Sequence, residues 1–223
     1  MSHSFDFTFL HSYGGMILHG IGVTLILITI GATLGLATAI SCNWLRLFGP
    51  APVRAAVTFY VEFIRNTPFL IQLFFIFFGL PRIGISMSEM TAAVVAMAIN
   101  LGAYGTEIVR AGVQAATNGQ WEAGMSLGMT RNQTFWHVIL LPAVQKMWAT
   151  LSSQIVIVML GSAVVSQISV TDLTYVASLI QSRTFRAFET YFVVTAIYIV
   201  LAALVRLALQ LVGSRLLGTR QMP

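Results

Sequence analysis

Two acid–base pairs with helical spacing are the clearest candidates for chemistry in this sequence. Glu62 and Arg65 stand three residues apart, and so do Glu107 and Arg110. Side chains at this spacing lie on one face of a helix, where a carboxylate and a guanidinium group can pair. Each pair lies near one end of an apolar run. The simplest prediction is therefore an ion pair close to the end of a helix in each case.

The residues that usually carry catalysis or metal binding show no such pattern here. The four histidines lack metal-ligand spacing, and Cys42 has no histidine beside it. A phosphate-binding loop needs a lysine followed by serine or threonine after its glycines. Gly119, Gly124 and Gly128 are not followed by that pair. The sequence therefore predicts no enzyme, no metal site and no cofactor, and any energy for work must come from a partner.

The composition indicates a membrane protein. Of the 223 residues, 57% are hydrophobic and 9% are charged, and the mean hydropathy is +0.84. A soluble domain carries roughly 25% charged residues, so this chain has too few to cover a surface in water. The net charge of +5 comes from arginines scattered along the chain, which favours a role in membrane orientation over nucleic-acid binding. We expect an all-α integral membrane protein with about five transmembrane helices.

The uninterrupted apolar runs predict the positions of the spans. An amino-terminal segment over residues 1–15 precedes them and lacks the basic start of a removable signal peptide. A membrane domain over residues 16–213 and a tail over residues 214–223 complete the expected organisation. A polar loop of about residues 113–134 interrupts the membrane domain. The five spans are expected over about residues 16–40, 57–80, 90–111, 135–165 and 191–211.

The arginines between the spans predict the orientation. Short cytoplasmic loops are enriched in basic residues. One side of the predicted topology holds six arginines: Arg46, Arg54, Arg110, Arg131, Arg215 and Arg220. The other side holds three: Arg82, Arg183 and Arg186. We therefore expect the amino terminus outside, the carboxyl terminus in the cytoplasm, and the polar loop facing the cytoplasm.

The second predicted span contains a proline and a distinctive polar start. Residues 62–81 read EFIRNTPFLIQLFFIFFGLP. Pro68 removes a backbone hydrogen bond and predicts a bend or break in the helix. The stretch closely resembles the second-span signature of permeases for polar amino acids. The matching residues are Phe63, Arg65, Thr67, Pro68, Gln72 to Phe75 and Phe78 to Pro81.

Two further stretches carry the same resemblance. Residues 119–142 read GQWEAGMSLGMTRNQTFWHVILLP and are typical of a short helix, a glycine turn and the start of another span. This stretch resembles the EAA loop of ABC-transporter permeases at Glu122, Ala123, Gly128, Leu141 and Pro142, whereas Gly124 replaces the second alanine. Residues 100–112 resemble the same family's Ala-Tyr-x-x-Glu-x-x-Arg-x-Gly stretch, within which Gly102 and Gly105 are expected to pack against another helix.

The resemblance covers about residues 20–211 and implies a permease subunit of the polar amino acid uptake family. Its fold would be that of an ABC type I importer permease with a cytoplasmic coupling helix. The implied partners are a cytoplasmic ABC ATPase dimer, a second permease subunit of the same or a homologous kind, an extracytoplasmic solute-binding protein and an amino-acid-like solute. The resemblance also implies that Glu122 caps or anchors the coupling helix, Gly128 supplies its turn, and Glu107 with Arg110 supports the loop.

One departure from the family bears on the solute route. The family's polar Lys/Gln-Asp-Thr-Ser-Leu patch is here Met159-Leu160-Gly161-Ser162-Ala163, which keeps only Ser162. We expect the route to pass near Asn100, Tyr104, Met159 and Ser162. Asn100 and Tyr104 share a helix face at i and i+4, although a simple hydrogen-bonding role between helices is the alternative for both.

Other functions remain as alternatives at this point. An ion channel or a proton-coupled secondary carrier would use the acidic residues and arginines to line an ion path. Such a path needs them near the middle of the bilayer, whereas Glu62 and Glu107 fall near the ends of their predicted spans. A membrane-embedded enzyme or a scaffold is the other alternative, and the sequence offers no catalytic constellation for the former.

Overall fold

A computed structural model of the chain describes residues 7–115 and 118–216, and their regular structure is entirely helical. Residues 1–6 of the expected amino-terminal segment lie outside the described residues. So do residues 217–223 of the expected tail, which include Arg220. The nine helices within this part are α1 (Phe9–Phe48), α2 (Ala51–Arg65), α3 (Phe69–Phe74), α4 (Glu89–Gln114), α5 (Asn118–Ser126), α6 (Arg131–Thr134), α7 (Leu140–Gly161), α8 (Leu173–Thr184) and α9 (Ala187–Leu216). Irregular turns of helix extend α3 to Ile83, join α6 to α7, and extend α7 to Ile168.

Four helical stretches are long and apolar enough to cross a membrane. They are Phe9–Phe48, Glu89–Gln114, Arg131–Ile168 and Ala187–Arg215. The pair formed by Ala51–Arg65 and Phe69–Ile83 makes a fifth span if its two parts are counted together. The 40 residues of α1 measure about 60 Å at 1.5 Å per residue. Because an apolar bilayer core is about 30 Å thick, α1 extends well beyond it.

The expected span over residues 57–80 is divided at Pro68. Helix α2 ends at Arg65, α3 begins at Phe69, and the two parts meet at a bend of 113°. Pro68 has no N–H to donate into a preceding turn, so the helix cannot continue through it unchanged. The predicted bend or break at Pro68 is confirmed: two helices with different axes occupy this stretch, and together they can form a fifth span.

Helix α4 lies at the centre of the bundle, against α1, α2 and α7. Small residues bring α1 and α4 close together. A Cβ atom added to Gly102 would lie 2.7 Å from the Thr38 Cγ2 of α1, and one added to Gly105 would lie 2.8 Å from the Ala39 Cβ. The core of this seam includes the fully buried Leu27 and Leu101. The packing role expected of Gly102 and Gly105 is therefore confirmed.

Helix α9 lies at the edge of the bundle and exposes many large apolar side chains. Phe192, Ile199 and Leu204 are among them. The Trp148 indole N–H on α7 donates to the Leu209 carbonyl oxygen at 2.9 Å and ties α9 to the bundle. An apolar face of this size on a membrane protein is suited to lipid.

Helix α8 begins at a buried carboxylate. The Asp172 side chain is fully buried and accepts a hydrogen bond from the Tyr175 backbone N–H at 2.9 Å, which caps α8. The Tyr198 hydroxyl on α9 donates to Asp172 at 3.4 Å and also shares a hydrogen bond with Thr174 at 2.8 Å. On the other side, the Leu173 N–H donates to the Thr24 hydroxyl of α1 at 3.3 Å. This polar cluster connects α1, α8 and α9.

Candidate functional site

The Glu107 carboxylate is shared by arginines from three helices. Arg46 of α1 donates to one carboxylate oxygen, and Arg110 of α4 donates to the other at 2.7 Å. Arg65 of α2 lies 3.9 Å from that second oxygen. The predicted pair of Glu107 and Arg110 is therefore present. Arg46, which the sequence suggested only as an orientation charge, completes it.

The predicted pair of Glu62 and Arg65 is absent. Among the described residues Glu62 forms no ion pair, and its side chain is exposed. The Arg65 guanidinium instead lies over the Tyr104 ring, 5.5 Å from its centre, and faces Glu107. The prediction was wrong because α4 offers Arg65 both a carboxylate and an aromatic face, which outweigh an exposed pair on α2.

Gln72 satisfies the backbone at the break between α2 and α3. Its side-chain amide donates to the Ile64 carbonyl at 2.8 Å, the Thr67 carbonyl at 3.0 Å and the Thr67 hydroxyl at 2.9 Å. The Asn100 amide of α4 donates to the Gln72 side-chain oxygen at 3.0 Å. Because unpaired carbonyls are costly away from water, this buried glutamine makes the Pro68 break tolerable within the bundle.

The expected solute-route residues do not form one surface in this conformation. Asn100 is bonded to Gln72, and the Tyr104 hydroxyl donates to the Arg65 carbonyl at 3.4 Å. Both therefore make the contacts between helices that were the alternative role for them. Met159 and Ser162 are fully buried, and the Ser162 hydroxyl donates to the Met159 carbonyl at 2.6 Å.

An open groove of about 490 Å³ lies between α4 and α7 and is lined in part by Tyr104. Gly112 allows the two helices to pack closely, since a Cβ there would lie 3.0 Å from the Ala143 carbonyl oxygen and would overlap Met147. On the α7 side the polar residues Lys146, Thr150 and Gln154 line the groove. These three residues were not among those predicted from the sequence, although their spacing at i, i+4 and i+8 within an apolar run was a usable signal.

The polar loop folds as a short helix followed by a glycine turn. Helix α5 runs from Asn118 to Ser126. Glu122 is its fifth residue and is exposed, so Glu122 does not cap the helix, and an anchoring role toward a partner remains a prediction. Gly128 has a φ of +77°, the left-handed conformation that glycine adopts without a steric cost.

The next helix begins with a capping box. Thr130 accepts from the Gln133 backbone N–H at 3.3 Å, while the Gln133 side chain accepts from the Thr130 backbone N–H at 2.8 Å. A π-helical turn follows over Phe135–Ile139. Pro142 lies three residues beyond it and lacks the N–H that an α-helix would use at this point. π-Helical turns are rare and occur mostly as single turns within α-helices, as here.

Gly124, the departure from the EAA pattern, is explained by packing. A Cβ at this position would lie 2.7 Å from the Thr134 hydroxyl oxygen. Thr134 is fully buried and donates to the Thr130 carbonyl at 3.0 Å. Helix α5 therefore rests on α6 through a glycine. Alanine at position 124 would require this contact to open.

The loop is also held to α1. The Trp44 indole N–H donates to the Asn132 side-chain oxygen at 2.7 Å, and Phe48 meets Phe135 edge to face at 5.7 Å between ring centres. The opposite side of α5 is free within the described chain. Glu122 and Ala123 are exposed there, and Leu127, just beyond the helix, is 80% exposed. Met125 is half exposed and lines a groove with Leu47 and Phe48 of α1. A helix fixed on one side with apolar residues exposed on the other is suited to contact a partner.

Comparison with known proteins identifies the family. Residues 31–218 match the family described as binding-protein-dependent transport system inner membrane component. The chain belongs to this family. It is a permease subunit of an ABC importer, and ATP hydrolysis resides in a separate subunit. Family membership also implies an ATPase and a binding protein as partners, and it decides against the ion channel and the proton-coupled carrier.

Two permease proteins with related sequences match nearly the whole chain. The L-cystine transport system permease protein of Bacillus subtilis is 33% identical over 91% of this chain and 85% of its own length. The glutamine transport system permease protein of Escherichia coli is 31% identical over 90% of this chain and 93% of its own.

Solved structures agree with this membership. The crystal structure of an amino acid ABC transporter with histidines has a TM-score of 0.85 and 36% identity, and the match covers 95% of this chain and 99% of that chain. An inward-facing methionine ABC transporter has a TM-score of 0.77 at 18% identity, covering 91% and 96%. The latter likeness shows the ABC importer permease fold.

Proposed function

We propose that this permease subunit carries a polar amino acid or a closely related solute into the cell. Its relatives include permease proteins for L-cystine and for glutamine, and the structure with 36% identity is an amino acid ABC transporter. In this proposal two permease subunits, alike or different, surround a central route. A binding protein delivers the solute from outside, and a cytoplasmic ATPase dimer drives the change between outward- and inward-facing states.

The exposed face of α5 is the main structural support for the proposal that an ATPase drives this permease. The helix is seated on α6 through Gly124 and Thr134, and the loop behind it is tied to α1 through Trp44 and Asn132. A push on the exposed face therefore reaches α1 and α7 through packed contacts rather than through a flexible loop. We propose that this face, which includes Glu122 and Ala123, receives the ATPase.

The proposal places α5 in the cytoplasm. Ser126 on α5 and Phe185 at the turn between α8 and α9 are both exposed. They lie towards opposite ends of α1, because Arg186 contacts Thr8 at its start and Asn132, after α5, contacts Trp44 near its end. With Cys42 replaced by alanine, Ser126→Cys should react with an impermeant thiol reagent only from the cytoplasmic side. Phe185→Cys should react only from the outside. Reaction of both positions from one side would contradict the orientation.

The coupling role is tested at Gly128. A β-branched residue there would face a backbone cost of about 1–2 kcal/mol, and no neighbouring atom would clash with its Cβ. In proteoliposomes with the ATPase and binding protein, Gly128→Val should insert normally but take up less solute per ATP hydrolysed.

Gly84 offers a matched control. It has a φ of +86° and equally open surroundings, and it lies just after the irregular extension of α3, away from α5. Gly84→Val meets the same backbone cost and should keep the normal ratio of uptake to hydrolysis. A normal ratio in Gly128→Val, or an equal loss in both variants, would show that the turn after α5 has no special part in coupling.

A further inference from the structure

We propose that the groove between α4 and α7 is an anion-attracting stretch of the solute route, in which Arg65 and Lys146 attract the carboxylate of the passing amino acid. The inference rests on the proposed function and assigns a substrate group to two residues. Neither residue was among the positions that the sequence suggested for the route.

The groove has polar side chains along its length on both helices. Lys146, Thr150 and Gln154 follow one another at one-turn intervals on α7, which places Gln154 about 12 Å from Lys146 along the helix axis. Across the groove, Tyr104 and Arg65 lie at the deeper end. The Lys146 ammonium donates to the Ala115 carbonyl at 3.1 Å, close to where α5 begins. A solute moving through this groove would meet a cation at each end.

The charges that line the groove do not cancel. Its only lining carboxylate among the described residues is Glu107, which is already bonded to Arg46 and Arg110. Arg65 lies 3.9 Å from Glu107, beyond hydrogen-bond distance, and its side chain is 43% exposed. Lys146 is exposed and uses one of its three donors on a neutral carbonyl. Both cations therefore keep donors available for an anion.

Two larger grooves have an apolar character, whereas a third of about 440 Å³ is lined by three arginines together with the two carboxylates Glu62 and Glu107. The two apolar grooves, one of about 590 Å³ between α1, α7 and α9 and another of about 580 Å³ beside α9, are lined mainly by aliphatic and aromatic side chains. Such surfaces favour acyl chains over a zwitterion. A cleft lined by one sign of charge raises the local concentration of oppositely charged groups, and guanidinium and ammonium groups form strong charge-assisted hydrogen bonds with carboxylates. The solute's carboxylate is the group this groove suits.

The attraction of anions into the groove can be measured directly. Thr150 is exposed within the groove, so Thr150→Cys in a Cys42→Ala background reports on it. Its reaction rates with an anionic and a cationic methanethiosulfonate reagent of similar size are compared in the assembled transporter. We expect the anionic reagent to be favoured, and Arg65→Gln with Lys146→Gln to lower that preference about tenfold.

Arg54→Gln is the matched control, since Arg54 lies on α2, as Arg65 does, but not in this groove. It should leave the reagent preference unchanged. An unchanged preference in the double variant, or an equal drop in Arg54→Gln, would overturn the inference.

Uptake in proteoliposomes with the ATPase and binding protein then separates the two proposals. L-Glutamine and L-cystine serve as probes, because related permeases are named for them. The double variant should show a lower maximal uptake rate with an unchanged concentration for half-maximal uptake, which the binding protein sets outside the groove. If the unmodified transporter takes up neither probe and no other amino acid, the proposed function and the inferred substrate group are both refuted. Normal uptake by a double variant that has lost its anionic preference would refute the inference alone.

Discussion

Arg46 of α1 and Glu107 of α4 form an ion pair across 61 residues of sequence. The same carboxylate binds Arg110 and faces Arg65, so one acidic side chain holds three helices together. The Glu107 and Arg46 side chains are only 19% and 15% exposed. Partial burial of this kind makes the loss of one partner more costly than it is for a surface pair.

Glu107→Gln should destabilise the protein by about 1–3 kcal/mol, because three guanidinium groups would face one another without an anion. Thermal unfolding in detergent, followed by tryptophan fluorescence, measures the change. Arg110→Gln should cost less, since its side chain is 44% exposed and exposed pairs contribute little. Equal losses in the two variants would show that Glu107 is no more than a surface partner of Arg110.

Gly124→Ala should destabilise the packing of α5 on α6, because the new methyl group would overlap the Thr134 side chain. Overpacking of this kind costs about 1–3 kcal/mol. Thr134→Ala removes the overlapping atoms, so the double variant should recover most of the stability lost by Gly124→Ala alone. A double-mutant cycle on the thermal unfolding measures the coupling. Strictly additive effects would contradict the contact.

Gln72→Leu should lower stability by several kcal/mol, at about 1–3 kcal/mol for each buried polar group left unpaired. The groups affected are the Ile64 and Thr67 carbonyls and the Asn100 amide. Gln210→Leu makes the same chemical change at an exposed position of α9 and should have little effect. Similar unfolding temperatures for the two variants would mean that the break at Pro68 does not depend on Gln72.

Asp172 should make stability depend on pH. Burial raises the pKa of Asp172 from 3.8 to about 6, so the folded protein binds a proton more tightly than the unfolded chain. Stability from this group is therefore fully present below about pH 4 and is lost as the pH rises through about 6.

Asp172→Asn keeps an oxygen for the Tyr175 N–H but does not titrate. Relative to the unmodified protein, the variant should gain about 1–3 kcal/mol of stability between pH 4 and pH 7. Unfolding temperatures of both proteins across that range provide the measurement. Parallel curves for the two proteins would contradict the assigned titration.

The sequence allowed prediction of features that depend on neighbours along the chain. The bend at Pro68, the positive φ of Gly128 and the pairing of Glu107 with Arg110 each follow from a few adjacent residues. Features that depend on contacts across the bundle were missed or wrong. Arg65 does not pair with Glu62, because Glu107 and Tyr104 of α4 lie nearby. The choice between two such partners depends on the packing of α2 on α4, which local spacing does not contain.

The hydrogen bond from the Leu173 N–H to the Thr24 hydroxyl joins positions 149 residues apart. During synthesis, α1 is complete long before α8 exists. At 5–20 residues per second, the intervening chain takes on the order of ten seconds or more to make. Throughout that interval the Thr24 side of α1 lacks its native neighbour. A chaperone or insertase that shields this side of α1 would therefore act early in biogenesis, and a truncated chain ending before α8 would stay dependent on it.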